Sequence, residues 1–146
     1  MYDKMLVILD GSKEAESILG RTAVLAAKHK AEVVLMMVLP VPMLVIENGR
    51  LIATIDQEEE RMRAEVEPYL AKWRSRFEEG GINTSTAVRF GHVPEQVAEY
   101  AKENAIDLIV VATREQKGLD RLLRRDVAQK IVHAVSTTPV LLMKAA

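Results

Sequence analysis

The chain contains no cysteine, and its formal net charge at pH 7 is only -1. The lack of cysteine excludes disulfide bonds, thiol catalysis, and zinc or iron–sulfur sites with cysteine ligands. The low net charge gives no overall bias toward nucleic acid or anionic membrane surfaces. The first apolar run, which ends at Asp10, is too short to span a membrane and lacks a signal-peptide cleavage pattern. We therefore expect a cytoplasmic protein with neither nucleic acid nor membrane among its partners.

Motifs of catalysis and metal binding are also missing. His29, His92 and His133 are isolated in the sequence, without the His-x-x-x-His spacing of a metal site. No serine or threonine lies in the context of a nucleophile elbow. The glycine-rich loop of dinucleotide-binding proteins and the Walker loop are both absent after the first apolar run, where Asp10-Gly11-Ser12 leads directly into a helical pattern. These absences predict neither a metal site nor an enzyme.

Short apolar runs alternate with helical patterns along all 146 residues, of which 49% are hydrophobic. This composition supports one domain with its own core, and we assign residues 1–146 to it. Four apolar runs and one weakly alternating segment, residues 84–90, predict five parallel strands. They are Lys4–Leu9, Glu32–Val38, Thr84–Phe90, Asp107–Val111 and Val140–Met143. Strands that alternate with helices predict an α/β fold, with an open, doubly wound parallel sheet and helices on both faces.

The segment after the second predicted strand favours an insertion. Two β-prone runs, Met43–Ile46 and Leu51–Thr54, flank Asn48-Gly49, which is a strong local signal for a β-hairpin. An irregular loop is the alternative. We predict a hairpin at residues 43–54.

A long helix is predicted next. Asp56 and Glu59 suit a capping pair at its start, and Gly80-Gly81 is expected to end it. Pro68 falls inside this helix, and proline removes a backbone donor and clashes with the preceding turn. We therefore expect a kink or an interruption there.

Short motifs in a fixed order connect this chain to a known family. They are Asp10-Gly11-Ser12, Gly91-His92-Val93-Pro94, Gly118-Leu119 and Thr138-Pro139-Val140, together with the fourth strand. Each motif is weak alone, but together they resemble the universal stress protein family over nearly the whole chain. The resemblance implies the order 3-2-1-4-5 for the five strands, which places the ends of strands one and four side by side. Ligands of such sheets bind at this switch point.

The loop after the fourth strand departs from the family pattern. In nucleotide-binding members, as the resemblance implies, it reads Gly, two residues, Gly, nine residues, Gly and then Ser or Thr, and it cradles ATP. Those four positions hold Ala112, Glu115, Arg125 and Asp126 here. Glycine lets backbone N–H groups approach phosphate closely, whereas Glu115 adds a negative charge and the Asp126 carboxylate competes for the helix N-terminus. We therefore expect that the chain retains no ATP cofactor.

The resemblance also implies a set of nucleotide-binding positions, which apply if the pocket is retained. The acid after strand one contacts the adenosine, and the valine that ends strand two lines the base pocket. The full set is Ile8, Leu9, Asp10, Val38, Val111, Ala112, Arg114, Glu115, Arg125, Asp126 and Val127. Binding of ATP, AMP or a nucleoside in this residual pocket is the alternative hypothesis, and slow ATP hydrolysis is a third.

Two features of this pocket also have a purely structural interpretation. Asp10 either accepts hydrogen bonds from a ribose or adenine, or serves as the turn residue at the helix entry. Arg121, Arg124 and Arg125 share one face if their segment is helical, where they would hold a phosphate, an acidic partner or RNA. We favour a solvated face for these arginines, because neighbouring aspartates offset much of their charge.

The C-terminal strand is the predicted site of assembly. In the implied order it lies at a sheet edge, where unpaired backbone groups favour strand addition from a second copy. We predict a homodimer whose interface is formed by Val140, Leu141, Leu142 and Met143. The expected function is that of a stress-response regulatory module that contacts a protein partner not identified by the sequence.

Overall fold

A computed structural model describes residues 1–114 and 127–146 of the chain. In chain order its elements are β1 (Lys4–Ile8), α1 (Lys13–Glu16), α2 (Leu19–His29), β2 (Glu32–Leu39), β3 (Val45–Glu47), β4 (Arg50–Ala53), α3 (Ile55–Glu79), β5 (Thr84–Phe90), α4 (Val93–Glu103), β6 (Leu108–Thr113), α5 (Val127–Ala134) and β7 (Val140–Lys144). Five strands form one parallel sheet in the order β5-β2-β1-β6-β7. Counted among themselves along the chain, these are strands 3-2-1-4-5. The predicted α/β fold and its strand order are confirmed.

Helices cover both faces of this sheet. Successive side chains of a strand point to opposite faces, so neighbouring residues of β1 are buried in different clusters. Val7 is fully buried in a cluster with Leu70 of α3, and its neighbour Leu6 is fully buried in a second cluster with Val97 of α4. Removing each such side chain from water contributes about 1.5–3 kcal/mol. Burial on two faces therefore explains why β1 and β2 are continuously apolar and why helices cover both sides.

The predicted hairpin is present. Strands β3 and β4 pair in antiparallel fashion and form a separate two-stranded sheet. Asn48 and Gly49 form the two-residue turn, with φ angles of 51° and 74°. Two positive φ angles match the right-handed twist of the flanking strands, which explains why Asn-Gly is favoured at this place.

The capping of α3 differs from the prediction. Thr54 is the N-cap, and its hydroxyl accepts a hydrogen bond from the Gln57 backbone at 3.2 Å, while the Gln57 side chain accepts one from the Thr54 backbone at 2.9 Å. Asp56 and Glu59 already lie inside the helix, so the predicted capping pair is wrong. Thr54 leaves the hairpin in an extended conformation, and an N-cap requires that backbone geometry.

Pro68 does not interrupt α3, which runs without a break from Ile55 to Glu79. Pro68 and Ala64, whose carbonyl loses its helical partner, both lie on the exposed side of the helix, where that carbonyl is open to solvent. Buried Leu70 and Phe77 hold the following part of the helix against the sheet. Neither α3 nor any other helix in residues 1–114 and 127–146 is long and apolar enough to cross a membrane.

Candidate functional site

The winding of the chain reverses between β1 and β6, which are neighbours in the sheet. The chain passes from β1 to β2 on one side and from β6 to β7 on the other. In open α/β sheets, ligands bind beyond the carboxyl ends of the strands at such a switch point. The segments that follow Ile8 and Thr113 therefore border the expected site.

A cavity of about 160 Å³ lies at this switch point. Eight of the eleven predicted nucleotide-binding residues line it: Ile8, Leu9, Asp10, Val38, Val111, Ala112, Arg114 and Val127. The other three predicted positions, Glu115, Arg125 and Asp126, lie outside the described residues, as do Arg121 and Arg124. The fold thus brings the described candidates together, while their role in binding remains a prediction.

A second depression of about 310 Å³ continues this cavity toward the start of α4. The two share Val38, Val93 and Val127, so they form one cleft, which runs on to His92 and Lys130. Val38 and Val93 are half-buried, whereas Ile8 and Val111 are buried. The inner surface of the cleft is therefore lined by aliphatic side chains, and such a surface can pack against the face of a planar ring.

Asp10 stabilises the turn that enters α1. Its Oδ1 accepts a hydrogen bond from the Ser12 backbone at 2.9 Å, and Gly11 between them has a φ of 83°. Ser12 in turn caps α1, because its hydroxyl accepts a hydrogen bond from the Ala15 backbone at 3.1 Å. The turn interpretation of Asp10 is therefore correct. It does not exclude ligand binding, since a carboxylate has about four acceptor positions and Asp10 remains exposed.

The described rim of the cavity carries more negative than positive charge. Asp10 and Glu14 contribute carboxylates, and Arg114 contributes one guanidinium. Arg114 Nη1 lies 3.9 Å from Glu14 Oε1, with the two side chains 71% and 44% exposed. An ion pair this exposed contributes about 0–1 kcal/mol. Within the described residues, the rim of this cavity therefore has one cation for two carboxylates, and a further cation, Lys130, lies only farther along the cleft.

Glu16 of α1 connects this turn to α3. The Tyr69 hydroxyl donates a hydrogen bond to Glu16 Oε2 at 2.7 Å. Burial raises the pKa of Tyr69, and the hydrogen bond and negative charge of Glu16, together with the charge of Asp10, raise that pKa further. The phenol therefore stays protonated at neutral pH and acts as a donor that fixes α3 beside the turn.

Five lining residues were not expected from the sequence. They are Ser12, Glu14, Ala15, Val93 and Ala128. Ser12 lies two residues after Asp10 and Ala128 directly follows Val127, so including the sequence neighbours of the predicted residues would have found both. Val93 belongs to the Gly91–Pro94 motif, and only the pairing of β5 with β2 brings that motif beside Val38. Within the described residues, no cluster of three or more histidine or acidic side chains is arranged to hold a metal ion.

The predicted assembly strand, β7, lies at an edge of the sheet. The Ile109 backbone donates to the Pro139 carbonyl and the Ala145 backbone donates to the Thr113 carbonyl, both at 2.9 Å. By the alternation of a parallel ladder, the odd-numbered residues of β7 bond to β6 and the backbone groups of residues 140, 142 and 144 point outward.

The four predicted interface side chains are not equally accessible. Leu141 and Met143 pack against the cluster that contains Val7, and Val140 packs against the other. Leu142 is 41% exposed. A contact along this edge would therefore be made by outward backbone groups and by Leu142, with the other three side chains supporting the strand from inside.

The family model described as the universal stress protein family matches residues 1–144. The universal stress protein YxiE of Bacillus subtilis is 28% identical over 149 residues, which cover 99% of this chain and all of that protein. A solved structure of a universal stress protein family member from Burkholderia pseudomallei is 25% identical, with a TM-score of 0.70 and coverage of 97% and 96% of the two chains. A universal stress protein solved in complex with cAMP is 19% identical, with a TM-score of 0.73 and coverage of 99% and 98%.

Proposed function

The chain belongs to the universal stress protein family, and on that premise we propose that it is a regulatory interaction module of the stress response that does not retain ATP. It acts as a single domain and a homodimer in the cytoplasm, joined through β7, and it contacts a protein partner rather than catalysing a reaction. The proposal rests on the pocket at the switch point, where the family's phosphate-binding groups are replaced.

The described part of the pocket offers two reasons to expect that phosphate binds only weakly. Ala112 stands where the family pattern has its first loop glycine, and two carboxylates face one guanidinium at the rim. A phosphate charge about 4 Å from a carboxylate is raised in energy by roughly 1–4 kcal/mol, depending on how much water screens the pair.

The test is the nucleotide content and affinity of the purified protein. We expect mass spectrometry of the denatured protein to release no ATP, and calorimetry to give a dissociation constant weaker than about 1 mM, near -4 kcal/mol of binding free energy. A combined variant with Ala112→Gly, Glu115→Gly, Arg125→Gly and Asp126→Ser should tighten ATP binding at least tenfold, because it restores close backbone approach. Micromolar or tighter binding by the unmodified protein would contradict the proposal.

A second candidate function is that of an adenine-nucleotide sensor for ATP or AMP. The observation that favours it is that Asp10 and Val38, the two positions that match the adenosine contacts implied by the family pattern, line one cavity. The related structure solved with cAMP is consistent with this cavity binding an adenosine group. AMP or adenosine binding tighter than ATP, and lost in Asp10→Ala, would favour the sensor. Release of inorganic phosphate from ATP would instead indicate hydrolysis.

A further inference from the structure

The exposed apolar surface of the described chain is concentrated on the β3–β4 hairpin. Twelve large apolar side chains are exposed in the described ranges, and six of them lie between residues 43 and 55. Their exposed fractions range from 41% for Ile55 to 82% for Met43. These six residues, which we call the hairpin patch, are Met43, Leu44, Ile46, Leu51, Ile52 and Ile55.

One face of the hairpin carries an apolar cross-strand pair, and the opposite face carries the charged pair. Ile46 and Leu51 are direct cross-strand partners, so their side chains lie side by side on one face. Glu47 and Arg50 form the next pair, which points to the opposite face. No other charged residue lies between Pro40 and Thr54. The face that carries Ile46 and Leu51 therefore offers apolar surface without a charge.

The exposed apolar area of this segment is large for a single chain. Summed over both strands, the segment before them and the start of α3, the six exposures correspond to on the order of 600 Å² of surface, at the upper end of the largest patches on ordinary monomers. Of these residues, the strand pairing places Ile46 and Leu51 side by side on one face. The summed area approaches the roughly 800 Å² that each partner contributes to a standard interface. In addition, β3 and β4 pair only with each other among the described strands, and an isolated hairpin is marginal in water. A partner that covers the patch would supply the missing burial.

We propose that the hairpin patch binds the hairpin patch of a second copy of this chain. A face without charge excludes partners that depend on ion pairs, and the copy presents the same apolar face at equal concentration. A two-fold contact between identical patches brings no excess of like charge, because the single Glu47 and the single Arg50 of each copy cancel. Interfaces between identical subunits are also more apolar than those between separate proteins.

The hairpin contact is independent of the contact proposed at β7. The hairpin is inserted directly after β2, and β1 and β6 separate β2 from β7 in the sheet. One chain therefore presents two self-complementary surfaces in different places. The hairpin contact does not rest on the proposed β7 dimer, and each surface can be removed without the other.

Sedimentation of the full chain, whose monomer mass is 16.3 kDa, tests this contact. The first variant combines Ile46→Lys with Leu51→Lys, the second carries Leu142→Pro at the β7 edge, and the third combines all three changes. Where the two contacts close into a tetramer of two β7 dimers, we expect each of the first two variants to halve the wild-type mass, and the third to be a monomer. Glu47→Lys is the matched control, because it adds the same two units of positive charge on the opposite face of the same hairpin. It should keep the wild-type mass.

The outcomes separate the two contacts. A halved mass for the hairpin variant with an unchanged mass for Leu142→Pro supports the hairpin contact and removes the β7 dimer. An unchanged mass for the hairpin variant overturns the hairpin contact. A reduction in mass for Glu47→Lys equal to that of the hairpin variant overturns it as well. Circular dichroism checks folding, and a further variant replaces residues 44–53 by a Gly-Ser linker. An intact fold with halved mass supports the contact, whereas global unfolding overturns it, because the segment would then belong to the core.

Discussion

The two edge strands of the main sheet, β5 and β7, differ in which of their outward carbonyls accept a hydrogen bond from a helix side chain. In both cases an arginine from a helix donates a hydrogen bond to an outward carbonyl: Arg63 of α3 to Val88, and Arg21 of α2 to Lys144. Val88 lies inside β5, whereas Lys144 is the last residue of β7. Arg63 therefore interrupts the middle of its edge, while Arg21 leaves residues 140–142 of β7 open to another strand.

The ladder of β5 confirms that Val88 faces outward. The Val33 backbone donates to the Asn83 carbonyl and the Gly91 backbone donates to the Leu39 carbonyl. The alternation of a parallel ladder then directs the backbone groups of residues 86 and 88 away from β2. The Arg63 guanidinium also lies 5.5 Å from the Phe90 ring centroid, which holds it over this edge.

The two edges also differ in the charged side chains that lie beside them. Glu59, Arg63, Glu67 and Arg89 line the groove beside β5. Each strand itself has one charged residue, Arg89 in β5 and Lys144 in β7, so the difference comes from the charged side chains that α3 presents beside β5. Charged side chains along an edge oppose strand addition, so an edge is defined by what the neighbouring helices present as well as by its own strand. This difference favours β7 over β5 for pairing between copies.

The largest expected effect comes from proline at matched positions of the two edges. Leu142→Pro removes an outward N–H that the β6–β7 ladder does not use, so we expect an intact fold but loss of the β7 contact. Two lost backbone bonds at about 1 kcal/mol each, together with lost strand contact, should weaken association on the order of 100-fold. The measurement is sedimentation over a concentration series.

Val88→Pro is the control for that change, because it removes an outward N–H from β5 instead. It should leave the association unchanged. Equal weakening by both variants, or weakening by Val88→Pro alone, would contradict the distinction between the edges.

A smaller effect is expected when the protection of β5 is removed. Arg63→Ala exposes the Val88 carbonyl and withdraws the guanidinium from Phe90, so a second pairing edge becomes available. We expect new association that grows with protein concentration, detected by light scattering. Arg61→Ala on the same helix is the control, because Arg61 is paired only with Glu58 and Glu65 of that helix among the described residues. Scattering equal to that of the wild type in Arg63→Ala would show that Arg63 does not protect the edge.

The smallest effect is expected at Arg21. A second strand on β7 must compete with this side chain for the Lys144 carbonyl. Arg21→Ala removes the competitor and should tighten the β7 contact about threefold, which corresponds to part of one net hydrogen bond. Arg74→Ala, which removes an exposed pair with Glu78 on α3, serves as the control in the same dilution series. Weaker association in Arg21→Ala would mean that the arginine holds β7 in its pairing conformation instead.

Local patterns in the sequence were sufficient for the strands and the hairpin. Continuous apolar runs predicted β1, β2, β6 and β7, because a strand covered on both faces has no polar side. A weak alternation of apolar and polar residues predicted β5. Asn48-Gly49 predicted the turn of β3 and β4, since few other pairs accept positive φ at both positions. The order of the sheet came from the family resemblance, because no single strand encodes its neighbours.

Predictions failed where neighbouring structure decided between local alternatives. Thr54 caps α3 in place of Asp56 because the hairpin delivers Thr54 in an extended conformation. Pro68 is accommodated because packing of Leu70 and Phe77 holds the helix beyond it. In the pocket, the motif containing Val93 was recognised, but its position beside Val38 depends on which strands pair.

The sequence by itself determined the fold class and the hairpin, because these follow from residue type and short-range periodicity. The absence of glycine at residues 112, 115 and 125 is also read directly from the sequence, but its meaning comes from the loop pattern that the family resemblance implies. Only the tertiary structure decided which edge is protected and which face of the hairpin is free of charge. Arg21 and Lys144 are 123 residues apart, and Arg63 and Val88 are 25 apart. Contacts over such separations depend on how helices pack on the sheet, and no local pattern encodes that packing.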